Sequence, residues 1–157
     1  MVSANWLKKT ELFEGLGESQ LNDLLAYSTV ESFPEGRIIF HQEAEATHLY
    51  ILIQGTVDLN VKAQEEIGFL TSQIQKEGAI FGIPSLIEPF RYNVTAKCIL
   101  PSKVLSIESH YLRKKMEEDP KMGMQMMKNL TLIYYNRLNE LRKEIVSFFK
   151  VFKVRIP

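Results

Sequence analysis

At 157 residues the chain has the size of one ordinary domain, long enough to bury a core without staples. Its 19 basic and 19 acidic residues cancel, which argues against a broad nucleic-acid footprint, since that needs a basic excess or stripe. A lone cysteine, Cys98, excludes an intramolecular disulfide framework and a Cys-rich metal site, and 45% hydrophobic with 24% charged residues is ordinary globular composition.

The N-terminal dozen carries Trp6, Lys8, Lys9 and Glu11, so it has no apolar signal core. No apolar run approaches the roughly 20 residues that span a bilayer. A cytoplasmic protein with no membrane partner is expected.

Residues 4–30 read as two short helices joined by a tight turn. Leu7, Leu12, Phe13, Leu16, Leu21, Leu24 and Leu25 are their apolar positions, Gly15 and Gly17 interrupt them, and Ser19 is placed to cap the second. From Val30 the chemistry changes. Phe33-Pro34-Glu35-Gly36 signals a turn before the strand-like Arg37–Phe40. After the polar loop 42–47, Leu49–Ile53, Gln54-Gly55 and Thr56–Val61 predict a compact β-hairpin turning at Gly55. Further strands are expected at Ile67–Leu70, Ile74–Gln75, Val94–Ile99 and Val104–Ile107. Turn signals every eight to twelve residues favour a small all-β barrel or sandwich.

Ser109 is placed to cap a helix running to Glu118, and Asp119-Pro120 restarts the chain. Beyond Lys121 no proline interrupts a long helix to about Lys150. Its apolar residues Met127, Leu130, Tyr134, Leu138, Leu141, Ile145, Phe148 and Phe152 step by 3, 4, 4, 3, 4, 3 and 4, close to a heptad seam. Packing along the body is the plain alternative, but a helix of about thirty residues, ~45 Å at 1.5 Å per residue, outruns a barrel of this size. A dimer interface through Leu130, Tyr134, Leu138, Leu141, Ile145 and Phe148 is therefore expected. Two regions follow: residues 1–120, a sensor barrel with N-terminal helices, and residues 121–157, a dimerisation or lid helix and its tail.

The ordered series resembles the cyclic-nucleotide-binding family, the sensor domains of catabolite-activator and FNR type. Leu12-Phe13-Glu14-Gly15-Leu16 is similar to its opening helical segment; Gly36, Ile39-Phe40 and Leu49–Ile53 with Gly55 and Val57 are similar to its first strands. Gly78, Phe81-Gly82 and Val94-x-Ala96 bracket what resembles its phosphate-binding cassette, and Asn129–Leu141 resembles the long helix that links ligand to output. The resemblance covers residues 7 to about 145. It implies a mainly β α+β fold, a β-barrel of double-stranded β-helix or jelly-roll type flanked by N-terminal helices and a long C-terminal helix. It also implies a small-molecule ligand, a cyclic nucleotide or another small anion, held by backbone N–H groups at a helix start. A Glu on the ribose and an Arg on the phosphate complete the family site.

Carried over residue by residue, the pocket is Phe81, Gly82, Ile83, Pro84, Ser85, Arg91, Tyr92 and Asn93, with Tyr134, Leu138 and Leu141 as its lid. The chain departs from the family where Ile83 replaces the Glu, and where the Arg is either lost to Phe90 or displaced to Arg91. Pro84 removes one backbone donor. Glu43 stands where a turn Gly is common, which reshapes a loop. Losing one charge-assisted bond costs about 1.5–3 kcal/mol, so ordinary cAMP is not the expected ligand. The chain ends too soon after Lys150 for the helix-turn-helix that many relatives carry, so direct nucleic-acid binding is not expected; a separate or missing DNA-binding module, or a ligand-free dimerisation module, are the other readings.

His41 and His48 flank one loop but lack cysteine partners, so they read as surface or hydrogen-bonded histidines rather than metal ligands. Met116, Met122, Met124, Met126 and Met127 read as packing or an adaptable partner surface. Phe148, Phe149, Val151 and Phe152 with Lys150 and Lys153 form a sticky basic tail. No nucleophile elbow, P-loop or H-E-x-x-H motif occurs, and no enzyme activity is expected.

Overall fold

The computed structural model describes residues 1–63 and 67–152. Helices α1 (Ala4–Lys8) and α2 (Glu18–Ala26) open the chain. The Ser3 hydroxyl accepts from the Trp6 N–H at 3.2 Å, which caps α1. Helix α2 starts one residue before the expected cap: Gly17 holds that position, its N–H taken by Gln20 Oε1 at 2.8 Å, and Ser19 lies inside the helix. Residues 28–30, expected to be helical, belong to strand β1 (Ser28–Phe33), because six consecutive residues pair there with β8 (Ser102–Glu108).

The remaining strands are β2 (Ile38–Phe40), β3 (His48–Gln54), β4 (Val57–Ala63), β5 (Ile67–Ile74), β6 (Ile80–Phe81) and β7 (Thr95–Cys98). They form two antiparallel four-stranded sheets, ordered β1-β8-β3-β6 and β2-β7-β4-β5. The fold is the expected jelly roll, but its sheets keep their edges and do not close into a barrel.

The hairpin expected across Gly55 does not form. Strands β3 and β4 lie in different sheets, and the chain crosses between them at Gly55. There φ is +109°, and a Cβ would stand 2.3 Å from Ser102 Oγ and 2.7 Å from the Pro101 carbonyl. A glycine that looks like a hairpin turn is thus the tight corner between two layers. The real hairpin joins β4 to β5, from Val57↔Ile74 to Ala63↔Ile67, and it merges the two strands expected at 67–70 and 74–75 into one.

In the β1-β8-β3-β6 sheet, strands β8, β3 and β6 are buried on both faces, whereas β1 is partly exposed. In β3, Leu49 and Ile51 point to the helices while Tyr50 and Leu52 point between the sheets. In β8, Leu105 and Ile107 face the helices and Val104 the sandwich. The period of two along a strand makes this division automatic. One core therefore joins Leu7, Phe13, Leu21 and Leu24 to the sheet; a second lies between the sheets around Phe40, Tyr50, Phe81 and Tyr92.

Helix α3 (Ser109–Glu118) leads into α4 (Pro120–Val151). Glu108 takes the cap position expected of Ser109, which becomes the first helical residue. Asp119 caps α4 by accepting from Met122 N–H at 3.2 Å, and Gln20 also donates to its carboxylate, at 2.7 Å. These bonds hold its carboxyl below the usual carboxylate range. Helix α4 has 32 residues, ~48 Å long. Met122, Met126, Leu130 and Ile133 bury one face of its first half on the body, whereas Tyr134, Leu138, Leu141, Ile145 and Phe148 are exposed. No helix among the described residues is long and apolar enough to cross a membrane.

The two-layer corner yields a paired prediction. Gly36, at φ +83°, has nothing within 4 Å of a built Cβ. Gly36→Ala should carry only the left-handed backbone cost of about 1–2 kcal/mol. Gly55→Ala should cost a further ~1–3 kcal/mol from overpacking against Ser102 and Pro101. Urea midpoints of the two variants check the difference.

Candidate functional site

Strand β6 delivers the chain to Gly82, which sits in the left-handed region at φ +76°. A Cβ there would lie 2.9 Å from the His48 carbonyl and 3.1 Å from the Tyr50 ring, so only glycine permits this approach to β3. One 3₁₀ turn follows, Ile83–Leu86, with Pro84 in its first turn. The loop then passes Phe90, whose φ is +55°, and returns through Arg91 and Tyr92 to β7.

The expected pocket residues separate into three groups. Ile83 is 2% exposed, with its side chain in the helix-side core. Ser85 is fully buried and its Oγ has no hydrogen-bond partner. Phe81 and Tyr92 are buried between the sheets. Pro84 is half-buried, while Arg91 and Asn93 are exposed.

Rings fill the space beside the cassette. Tyr92 stacks on Phe40 at 3.7 Å between centroids, Tyr50 stacks on Phe81 at 5.2 Å, and Phe40 joins the two pairs, 5.7 Å from Tyr50. The Tyr92 hydroxyl donates to the His48 carbonyl at 2.8 Å and accepts from the His48 N–H at 3.1 Å. Burial, reinforced by Tyr92 and Glu31, pushes the Tyr50 phenol well above the usual tyrosine range. Burial also raises Tyr92, partly offset by its bonds to the His48 backbone.

Arg91 Nη1 donates to the Glu43 carbonyl at 2.9 Å, on the outside of the site. Glu43 itself adopts φ +68° in the reshaped loop. Backbone bonds zip that loop to the end of the cassette, Glu43 N–H to Tyr92 O at 2.8 Å and Ala46 N–H to Phe90 O at 2.7 Å. Phe90 lies 4.0 Å beneath the Arg113 guanidinium, and Arg113 also donates to the Ser85 carbonyl. The cationic group nearest the turn therefore comes from α3 and is engaged in holding the cassette together.

Tyr134, Leu138 and Leu141, expected as a lid, lie on α4 with 41–50% exposure. Between them, Arg137 reaches the Ile80 carbonyl at 2.7 Å, which brings this part of α4 beside β6. Leu130, named for the dimer seam, is 4% exposed in the body's own core. Met122 and Met126 are core, whereas Met116, Met124 and Met127 line an open cleft of about 610 Å³ with Leu86, Phe90 and Arg113. His48 serves β3, and its Nδ1 meets the Thr47 hydroxyl at 2.8 Å. Among the described residues no group of three His, Cys, Asp or Glu is placed to hold a metal ion. Lys153 of the basic tail lies outside the described residues.

Sequence reading missed Phe40, Tyr50 and Arg113. Alternation along β3 separates Tyr50 from its helix-facing neighbours, but nothing local links Arg113 to a turn 28 residues earlier.

Residues 30–119 match the family model for the cyclic nucleotide-binding domain. The chain belongs to that family. A global nitrogen regulator of Synechococcus elongatus is 26% identical over 104 residues, 65% of this chain and 46% of its own. The chain thus spans about half the length of the curated relatives it matches. A Geobacter metallireducens protein of known structure, provisionally described as cyclic nucleotide-binding, is 31% identical. It superposes with a TM-score of 0.74 over 88% of this chain and 99% of its own. A cyclic nucleotide-binding domain from Methylobacillus flagellatus, 17% identical, shares the fold with a TM-score of 0.78 over 98% of this chain and 83% of its own.

The buried phenols set a pH dependence. Their folded pKa is raised above the unfolded value of about 10, so the stability they contribute is complete below pH ~10 and is lost as pH rises toward the folded pKa. The urea midpoint should fall as pH rises above about 10, toward the raised folded values, and Tyr50→Phe should flatten that fall. Parallel declines in the two proteins would contradict it.

Proposed function

We propose that this domain is a non-enzymatic, cytoplasmic sensor module of a regulatory system, whose cassette does not take ordinary cAMP and whose long helix forms a homodimer. The observation that carries the ligand reading is the occupancy of the site. Ile83, in the family's Glu position, is buried among apolar side chains and offers no acceptor to a ribose. Phe40, Tyr50, Phe81 and Tyr92 stack where the sheets face one another. Arg91 is turned to the Glu43 loop, and Phe90 presents a ring to Arg113. A cyclic nucleotide, whose phosphodiester carries one negative charge, would lack both its ribose acceptor and its free cation. A smaller or flatter anionic or aromatic ligand is the better fit, or none.

Support for the dimer comes from α4. Tyr134, Leu138, Leu141, Ile145 and Phe148 recur at heptad spacing and are 41–59% exposed on a helix that leaves the body. Apolar residues in that pattern pack well against a second helix. The names of the curated relatives favour a second reading, in which this is the sensor half of a transcription regulator working with another DNA-binding module. The filled interior favours a third, a ligand-free dimerisation module.

Thermal shift against cAMP, cGMP, cyclic dinucleotides and small aromatic acids separates these. Stabilisation by micromolar cAMP that disappears in Arg91→Ala would overturn the non-standard reading; no shift with any compound favours the ligand-free module. For the helix, Leu141→Asp should weaken self-association at least about thirtyfold, the effect of losing ~2 kcal/mol at an interface centre. Its melting as a folded domain should be retained, because Leu141 is half exposed. Light scattering that finds the parent protein monomeric at every concentration would sink the dimer.

A further inference from the structure

Beside the apolar packing of Ile83 and Leu86 in the core they share with α4, the site and the long helix are joined by hydrogen bonds at the Ile80 peptide. Strand β6 is an edge of its sheet: β3 covers one side, with Ile80 opposite Ile51 and Phe81 opposite Tyr50. Among the described residues no strand neighbours its other side, and two side chains from the helical layer take the strand's place. Glu11 Oε1 accepts the Ile80 N–H at 3.0 Å, and Arg137 Nη2 donates to the Ile80 carbonyl at 2.7 Å. Glu11 and Arg137 are themselves paired at 3.7 Å, with 40% and 33% of their side chains exposed. Both polar groups of the residue that precedes Phe81-Gly82 are thereby held by a charge pair, and bonds to charged groups are stronger than neutral ones.

Arg137 also has a singular place on α4. Among the residues that face the body are Met122, Met126, Asn129, Ile133 and Arg137, at steps of 4, 3, 4 and 4, with Leu130 beside Asn129. Asn129 is bonded to the Leu12 and Glu14 carbonyls at 2.8 Å each. One and two turns beyond Arg137 the same face carries Leu141 and Glu144, both exposed. Among the described residues, Arg137 makes the last polar contact from α4 to the body before the exposed second half of the helix. It is also the attachment that touches the strand entering the cassette.

We propose that Arg137, positioned by Glu11, is the residue that couples the cassette to the long helix. It holds the arm in register with the Ile80 peptide, so that displacement of β6 at the cassette entrance and displacement of α4 at its exit from the body are one event. This deepens the sensor reading and rests on α4 being its output. A ligand moves such a system only by binding two arrangements unequally, and the clamp defines what differs between them: the Ile80 carbonyl bonded to Arg137 or released from it. Apolar packing of Ile133 on the body tolerates sliding; a bond from a planar guanidinium to one carbonyl does not.

The test needs no ligand, so its failure is separate from failure of the ligand screen. Peptide-resolved amide hydrogen exchange is compared in the full chain, Arg137→Met, Arg137→Lys and Glu11→Gln. Arg137→Met should speed exchange about tenfold in peptides covering residues 80–87 and 134–142, leaving the β2-β7-β4-β5 sheet within about twofold of the parent. Arg137→Lys, which keeps a cationic donor, should restore most of the protection. Glu11→Gln, which keeps an acceptor for the Ile80 N–H but loses the ion pair, should give an intermediate change in the same two segments. Equal acceleration in every segment would reduce Arg137 to a general stabiliser and overturn the coupling role, as would unchanged exchange at the cassette. If Arg137→Met does not fold, Arg137→Gln, polar but too short to reach Ile80, carries the same expectations.

Discussion

Everything in this molecule hangs on the double burial of one sheet. Strands β3 and β8 present Leu49, Ile51, Leu105 and Ile107 to the helices and Tyr50, Leu52 and Val104 to the second sheet. Full burial of one such side chain is worth about 1.5–3 kcal/mol, and here both faces contribute along the same few residues. The arrangement ties three things together: the N-terminal helices, the first half of α4, and the inter-sheet core beside the cassette. Because β3 also forms the wall that Gly82 approaches, the site cannot shift without disturbing this sheet.

That constraint explains the character of the cassette. The turn Ile83–Leu86 sends Ile83 and Leu86 into the helix-side core, while Phe81 just before it points between the sheets. The cassette is therefore a seam between two cores as well as a binding loop. Three groups close the seam: an isoleucine, a ring under Arg113, and a tyrosine hydroxyl bonded to the His48 backbone. These contacts are internal ones, and the aromatic stack gains from burial and ring geometry together.

Helix α4 divides at Arg137. Before it, side chains at helical spacing are core; after it, the same chemistry faces solvent. Heptad spacing runs through both halves, but the face that packs on the body, Met122, Met126 and Ile133, lies beside that seam, whose Met127 and Tyr134 are exposed. Leu130 shows the consequence, being a seam position by spacing and a core residue by burial. Periodicity describes which side of a helix is apolar; it says nothing of what covers that side.

The order of elements, the Gly-marked turns, the family and the long helix were all readable from the residues, because alternation, helical spacing and turn chemistry are local properties. At the cassette the residues showed Ile83 in place of an acidic residue and an arginine either lost to Phe90 or displaced to Arg91, but not that Ile83 lies in the helix-side core. Where Gly55 sends the chain was not. Its local signature is the same whether it turns back into a hairpin or crosses to a second sheet, and only the pairing of β3 with β8 and of β4 with β5 decides. The barrel that stays open, the start of β1 inside an expected helix, and the Glu11–Ile80–Arg137 clamp share that origin. Each depends on groups dozens of residues apart, down to an arginine 57 residues from its carbonyl. A sequence displays the donors and acceptors, but tertiary structure alone determines which of them meet.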